Sequence, residues 1–193
     1  MKTFTPTPAE MQCNIARFSQ LRPKSRRYAE QAGIPAEAFE MIAAKSIYLL
    51  MAPQGAGGAN ASPAVVGAAG LTVNICECPP GNGPMLHAHE RTRETFLCLR
   101  GRFQVSWGDE GEHRTSLEPF DLISVPPGVS RAFVNDGEDT AWLLVMIQGS
   151  GDDLSDVAYS PRVGREIQDR YGEDVRRRFE EVLGWNFQAG VAP

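Results

Sequence analysis

Apolar and polar residues alternate in short runs through the middle of this chain, and turn residues punctuate the runs. Leu71-Thr72-Val73-Asn74-Ile75-Cys76 changes character at every step, the pattern of a strand with one buried face. Phe103-Gln104-Val105-Ser106-Trp107 repeats it, and Arg131, Phe133 and Asn135 share one face of a further strand. Glu94 to Leu99 and Asp121 to Val125 read as strands too, whereas the more polar Glu112 to Leu117 predicts the return of a hairpin at an exposed rim. Trp142 to Ile147 is apolar throughout and predicts a buried closing strand. Cys78 to Pro84, Gly108 to Gly111 and Asp136-Gly137 supply the turns. Roughly seven short strands with this punctuation predict a closed barrel or a jelly-roll sandwich.

The pattern changes at both ends. Residues 1 to about 23 are polar with scattered prolines and read as an arm. Lys24 to Gln31 predicts a short helix stopped by Gly33, and Pro35 suits the start of another that carries Phe39 and Ile42. The apolar run Ser46 to Met51 reads as a strand at the barrel's margin. Residues 53 to 64 lose all periodicity and read as a loop, either a plain connection or a lid over the barrel mouth. After the polar linker of residues 149–156, Ile167, Tyr171, Val175, Phe179, Val182 and Leu183 form an apolar stripe on one or two helices interrupted at Gly172. The expected organisation is therefore an N-terminal arm with short helices and a loop over 1–64, a barrel over 65–150 and a helical extension over 151–193.

Composition narrows the function classes. The length of 193 residues suits one domain with extensions, and 42% apolar residues can fill its core. A net charge of −5 and the absence of a basic patch argue against nucleic acid, since Arg176-Arg177-Arg178 sits in an acidic helical stretch. No run of about 18 apolar residues exists to span a membrane. The N-terminus has no apolar signal region, and Cys76 and Cys78 stand too close on one strand to pair, so a reducing, cytoplasmic setting is expected.

The chemistry concentrates between Gly81 and Gly101, in GNGPMLHAHERTRETFLCLRG. On a strand, His87 and His89 point the same way. The charged run Glu90 to Arg93 reverses the chain, and Glu94 opens the returning strand. Two imidazoles and a carboxylate converging at a strand end offer a ligand set for a divalent metal ion. Cys98 shares parity with Glu94 and reads as a buried, inert thiol, and His113 as a surface residue.

Gly81, His87, His89, Glu94 and Gly101 fill every fixed position of G-x5-H-x-H-x4-E-x6-G, which resembles the first signature motif of the cupin superfamily. Pro126, Gly128 and Asn135 fit the second motif, G-x5-P-x-G-x2-H-x3-N, but Phe120 replaces its leading glycine and Arg131 its histidine, the fourth metal ligand. The resemblance covers roughly residues 65 to 150. It implies a mainly β, jelly-roll type cupin barrel, a mononuclear divalent metal (Fe, Mn, Ni or Zn) and a homodimer.

Arginine cannot be the fourth ligand, because its guanidinium offers no lone pair. Three readings stay open. In one, His87, His89 and Glu94 hold the metal as a facial triad, and Arg131 grips a substrate carboxylate, with Phe96 and Phe133 lining the pocket; the protein is then a dioxygenase or a metal-assisted isomerase or lyase acting on a small organic acid. In another, Arg131 pairs with Glu94 and replaces the metal, leaving a metal-free cupin that binds or senses a small anionic ligand. In the third, Arg131 turns outward and the site is a remnant.

Overall fold

The computed structural model describes residues 1–150 and 155–190; residues 151–154 of the expected linker and 191–193 of the expected extension lie outside the described residues. The chain opens with a one-turn helix α1 (Pro8–Met11), followed by α2 (Lys24–Ala32) and α3 (Ala36–Ile42). Strands β1 (Ser46–Pro53), β2 (Val65–Gly67), β3 (Leu71–Cys78), β4 (His87–His89), β5 (Arg93–Arg100) and β6 (Phe103–Trp107) come next. They are followed by β7 (His113–Leu117), β8 (Leu122–Val125), β9 (Arg131–Asn135), β10 (Ala141–Gln148) and β11 (Val157–Tyr159), and the helices α4 (Pro161–Tyr171) and α5 (Glu173–Leu183) close the order.

The strands form two sheets. One has the order β2-β1-β3-β10-β5-β8 and the other β11-β4-β9-β6-β7, with antiparallel pairing everywhere except between β1 and β2. This is a mainly β jelly-roll sandwich, with eleven strands among the described residues rather than the roughly seven expected. The additions are short or lie outside the alternating region: β1 pairs directly with β3, and the three-residue β11 lies beside β4. The rim hairpin is where the pattern put it, with β7 at a sheet edge and four of its five residues exposed.

Inward residues follow the period of two. Cys76, Cys78, Phe96, Cys98, Phe103, Phe133, Leu143 and Val145 fill the space between the sheets. The apolar run of β10 is central in its sheet, and alternate residues are buried. Its other face stays apolar because Phe18, from the N-terminal segment, packs on Trp142 and Tyr48 with ring centroids 5.3 Å and 4.7 Å apart.

A second core joins the two chain ends. Tyr28, Phe39 and Ile42 from the N-terminal helices pack with Tyr159, Ile167, Phe179, Leu183 and Trp185. Each such large side chain taken from water contributes about 1.5–3 kcal/mol. Of the stripe read from Ile167 to Leu183, Ile167, Phe179 and Leu183 are docked core, Tyr171 and Val175 pack against it and Val182 is exposed; the stripe is broken at Gly172, whose φ of +93° ends α4 and starts α5. The stretch 53–64 is packed down rather than free: Gly58–Asn60 forms a 3-10 turn, Asn60 is buried, and the Ala59 carbonyl accepts from the Tyr28 hydroxyl at 2.8 Å.

Two motif positions explain themselves. The buried Asn135 amide donates to the carbonyls of Cys78 and Asp139 and accepts from Gly137 N–H, tying the end of β3 to the turn between β9 and β10. Phe120 has φ of +77° and an 80% exposed side chain. It occupies a left-handed conformation that costs a residue with a Cβ about 1–2 kcal/mol, at the position where the motif carries glycine. Phe120→Gly should therefore raise the unfolding free energy by about 1 kcal/mol, read from urea denaturation midpoints at unchanged slope.

Candidate metal centre and ligand cavity

His87 and His89 are the two buried residues of β4, with Ala88 between them facing outward. Glu94 enters from the start of β5, and all three side chains are buried. One donor atom from each lies within 4.8 Å of the others. His87 Nε2 is 3.4 Å and His89 Nε2 3.6 Å from Glu94 Oε2. Donors bound to one ion at about 2.1 Å stand about 3.0–3.4 Å apart, so the spacing fits a divalent ion.

The far sides of both rings are fixed. His87 Nδ1 lies 2.8 Å from the Met85 carbonyl, which can only accept, so Nδ1 carries the proton. His89 Nδ1 donates to Asp156 Oδ1 at 2.8 Å, with Thr92 Oγ1 3.0 Å away. Asp156 is held in turn by Arg91 N–H, Thr92 N–H and the Thr92 hydroxyl, at 2.7–2.9 Å. These contacts turn both Nε2 atoms toward the Glu94 carboxylate. His89 Nε2 and Glu94 Oε2 are buried and make no hydrogen bond. A buried carboxylate oxygen without a hydrogen bond calls for positive charge beside it.

Arg131 supplies part of that charge. Its side chain is 0% exposed, its Nε lies 3.5 Å from Glu94 Oε2, and its Nη2 donates to the Pro126 carbonyl at 3.4 Å. Its Cα stands opposite His87 across the sheet, which is why a residue at this motif position reaches Glu94. Burial lowers the Arg131 pKa against the pull of Glu94 and Asp156. Burial also opposes ionisation of Glu94, but the charges of the histidines and Arg131 hold its pKa down at about 2. Burial keeps His87 below its ordinary value despite Glu94. Asp156 resists burial through its bonds to His89, Thr92 and Arg91 and sits well below the usual carboxylate range.

A cavity of about 80 Å³ adjoins the trio. It lies where the two cores meet. Cys76, Phe133 and Val145 come from the sandwich, Lys24 and Asn60 from the N-terminal part, and Tyr159 and Trp185 from the C-terminal part. The sequence-derived set therefore divides. His87, His89, Glu94 and Phe133 come together at the cavity. Arg131 lies behind Glu94, and Phe96 stands behind Phe133, ring edge to face at 5.1 Å; neither lines the cavity. Cys98 is in the sandwich core, with burial raising its pKa, and His113 is on the surface.

Sequence reasoning missed Asp156, Lys24, Asn60, Asn74 and Tyr159. Asn74 had a signal, since it shares parity with Cys76 on a strand whose inward face should be apolar. Asp156 sat in a linker and Lys24 at a helix start, where a charged residue carries no message.

Residues 74–147 match the family model of the cupin domain, Cupin_2. The match identifies a cupin domain over these residues, and it covers the part of the jelly-roll sandwich that carries the His-His-Glu cluster. No curated protein matches the chain. Among solved structures it is similar to a cupin-superfamily sugar phosphate isomerase from Silicibacter pomeroyi, at 28% identity over 44% of this chain and 54% of that one, with a TM-score of 0.38. It is also similar to the cupin domain of Cnp3 from Schizosaccharomyces pombe, at 13% identity over 54% and 65%, TM-score 0.40. A structure of DMSP lyases matches at 21% identity over 55% and 48%, TM-score 0.44. The chain thus spans about half to two thirds of the length of these structures.

The carboxylates give the metal-free protein a definite acid limit. A group whose pKa is depressed on folding stabilises the fold above its unfolded value, and that stability is lost as pH falls toward the folded value. For Glu94 the window runs from its ordinary 4.5 down to about 2. Thermal melts of metal-free protein should show stability falling across this window, with a shallower fall in Glu94→Gln.

Proposed function

We propose that this cupin holds a mononuclear divalent metal ion through His87, His89 and Glu94 and takes a small organic acid in the adjoining cavity, acting as a dioxygenase or a metal-assisted isomerase or lyase. The observation that carries the reading is the pair of Nε2 atoms, each on a ring whose Nδ1 is engaged on its far side, that stand 3.4 Å and 3.6 Å from a buried carboxylate oxygen. A bound ion would supply Lewis acidity and open positions for a substrate oxygen. The chain's own residues do the rest. Asp156 fixes the His89 ring and Met85 the His87 ring, so both present the same nitrogen. Phe133, buttressed by Phe96, closes one cavity wall and keeps water from the reacting group. Arg131 places a fixed cation behind Glu94, and with Asp156 ionised the loaded centre is net positive and attracts an acid. Four free thiols agree with a reducing, cytoplasmic setting.

The contact of Arg131 Nε with Glu94 Oε2 favours a second reading, in which the guanidinium serves in place of the metal and the cavity binds an anion without turnover. Elemental analysis separates the two. The purified parent should hold close to one metal ion per chain, and His87→Ala should lose it. No metal after reconstitution with Fe(II), Mn(II), Ni(II) and Zn(II) would overturn the metal reading in favour of the second. Asp156→Asn should weaken zinc affinity by about 10–100-fold in competition with a chromophoric chelator, since it removes the charge that steers His89.

A further inference from the structure

The cavity contains a cation that the metal reading does not use. Lys24, the first residue of α2, is 6% exposed and lines the same cavity as the trio. Among the described residues its ammonium makes one side-chain hydrogen bond, a long one of 3.5 Å to Asn60 Oδ1, and no ion pair. The position disfavours a positive charge in three ways. It is buried, it lies in the first turn of a helix, where the macrodipole is positive, and Arg27 follows within one turn. Burial first, then Arg27, brings the Lys24 pKa down to about 7. A structural lysine would have a carboxylate here; this one faces open volume.

Two further observations concern the same space. Asn74 lines the cavity, and its Oδ1 is buried without a hydrogen-bond partner. Lys24 also lines an outer groove of about 490 Å³, together with Arg17, Arg22 and Arg27. The lysine therefore stands between a basic groove on the surface and the metal-ligating trio within. Such a groove concentrates anions at its inner end.

We propose that Lys24 anchors a second anionic group of the ligand, so that the substrate class is a small dianion such as a short dicarboxylate, reached through the groove lined by Arg17, Arg22 and Arg27. The one end of this ligand meets the Lys24 ammonium and the other the His87–His89–Glu94 centre; that second contact, but not the first, rests on the metal reading. The cavity has room for about six heavy atoms at the volume a single water needs, which suits oxalate or malonate.

The test is calorimetric titration of oxalate and malonate into zinc-loaded parent and zinc-loaded Lys24→Met, with thermal melts of both proteins free of ligand. At least one dicarboxylate should bind the parent, and Lys24→Met should bind it about 10–100-fold more weakly, the size expected for one lost charge-assisted bond. Ligand-free Lys24→Met should melt no lower than the parent, because a buried, unpaired cation has been removed. Unchanged affinity, or no binding of either dicarboxylate to the parent, would overturn the proposal. So would a melting point several degrees lower with affinity retained, which marks a structural lysine. If Lys24→Met does not fold, Lys24→Gln keeps an amide for Asn60 and decides on the same affinity readout. The two readings fail separately: a parent that takes up no zinc but binds malonate through Lys24 sinks the metal reading alone, and a zinc-loaded parent indifferent to Lys24 sinks this one alone.

Discussion

The site depends on a carboxylate that touches neither cavity nor proposed metal. Asp156 accepts from His89 Nδ1, the Thr92 hydroxyl and the backbone N–H groups of Arg91 and Thr92. One side chain thus fixes the tautomer and plane of an imidazole and also the turn that carries the chain from β4 to β5. That turn delivers Glu94 to the two histidines. The arrangement is sequence-remote, 67 residues separating His89 from Asp156, and it is set by the pairing of Val157 with His89 across β11 and β4. A short strand of three residues is sufficient because the helices behind it are docked. Tyr159, two residues on, donates to the Ile42 carbonyl at 3.0 Å and packs among Trp185 and Phe187.

This is why the chain ends are part of the functional unit. Had the N-terminal helices and α4–α5 been simple coverings, the cavity would be bounded by the sandwich alone. Instead its walls alternate between the two cores, and removing either end would open the trio to water. Opening would matter physically, since Coulombic interactions among His87, His89, Glu94 and Arg131 weaken severalfold when solvent raises the local dielectric.

Much of this was legible in the sequence and some was not, for identifiable reasons. The period-two pattern in 71–76, 103–107 and 131–135 located strands and their inward faces, because alternation directly encodes a half-buried sheet. His87, His89 and Glu94 were legible because ligand spacing within one hairpin is a local property. Phe120 was visible only as a departure from a motif, and its positive φ is the reason that the motif has glycine there. The partners from outside the hairpin were not legible. Asp156 and Lys24 reach the site through tertiary packing, and a charged residue in a linker or at a helix start looks the same whether it ends in solvent or in a cavity. The loop 53–64 misled in the same way: its small residues signal freedom, but smallness also lets Ala59 and Asn60 pack flush against Tyr28 and Lys24.

The buried charges give the final constraint. Glu94 and Asp156 are negative and Arg131 positive, and Lys24, with its pKa brought down to about 7, takes up its charge when an anion meets it; with Lys24 charged, the metal-free interior is balanced overall although unevenly. Arg131 sits against Glu94, whereas Lys24 has an amide oxygen and open volume. Adding a divalent ion to the trio leaves two positive charges uncompensated within one enclosed space. A monoanion would remove half of that excess, and a neutral ligand none. A dianion cancels it while giving each end of the ligand a cationic partner. On the proposed reading, arginine in place of the second motif's histidine changes the charge of the site and shifts the preferred ligand toward more negative acids.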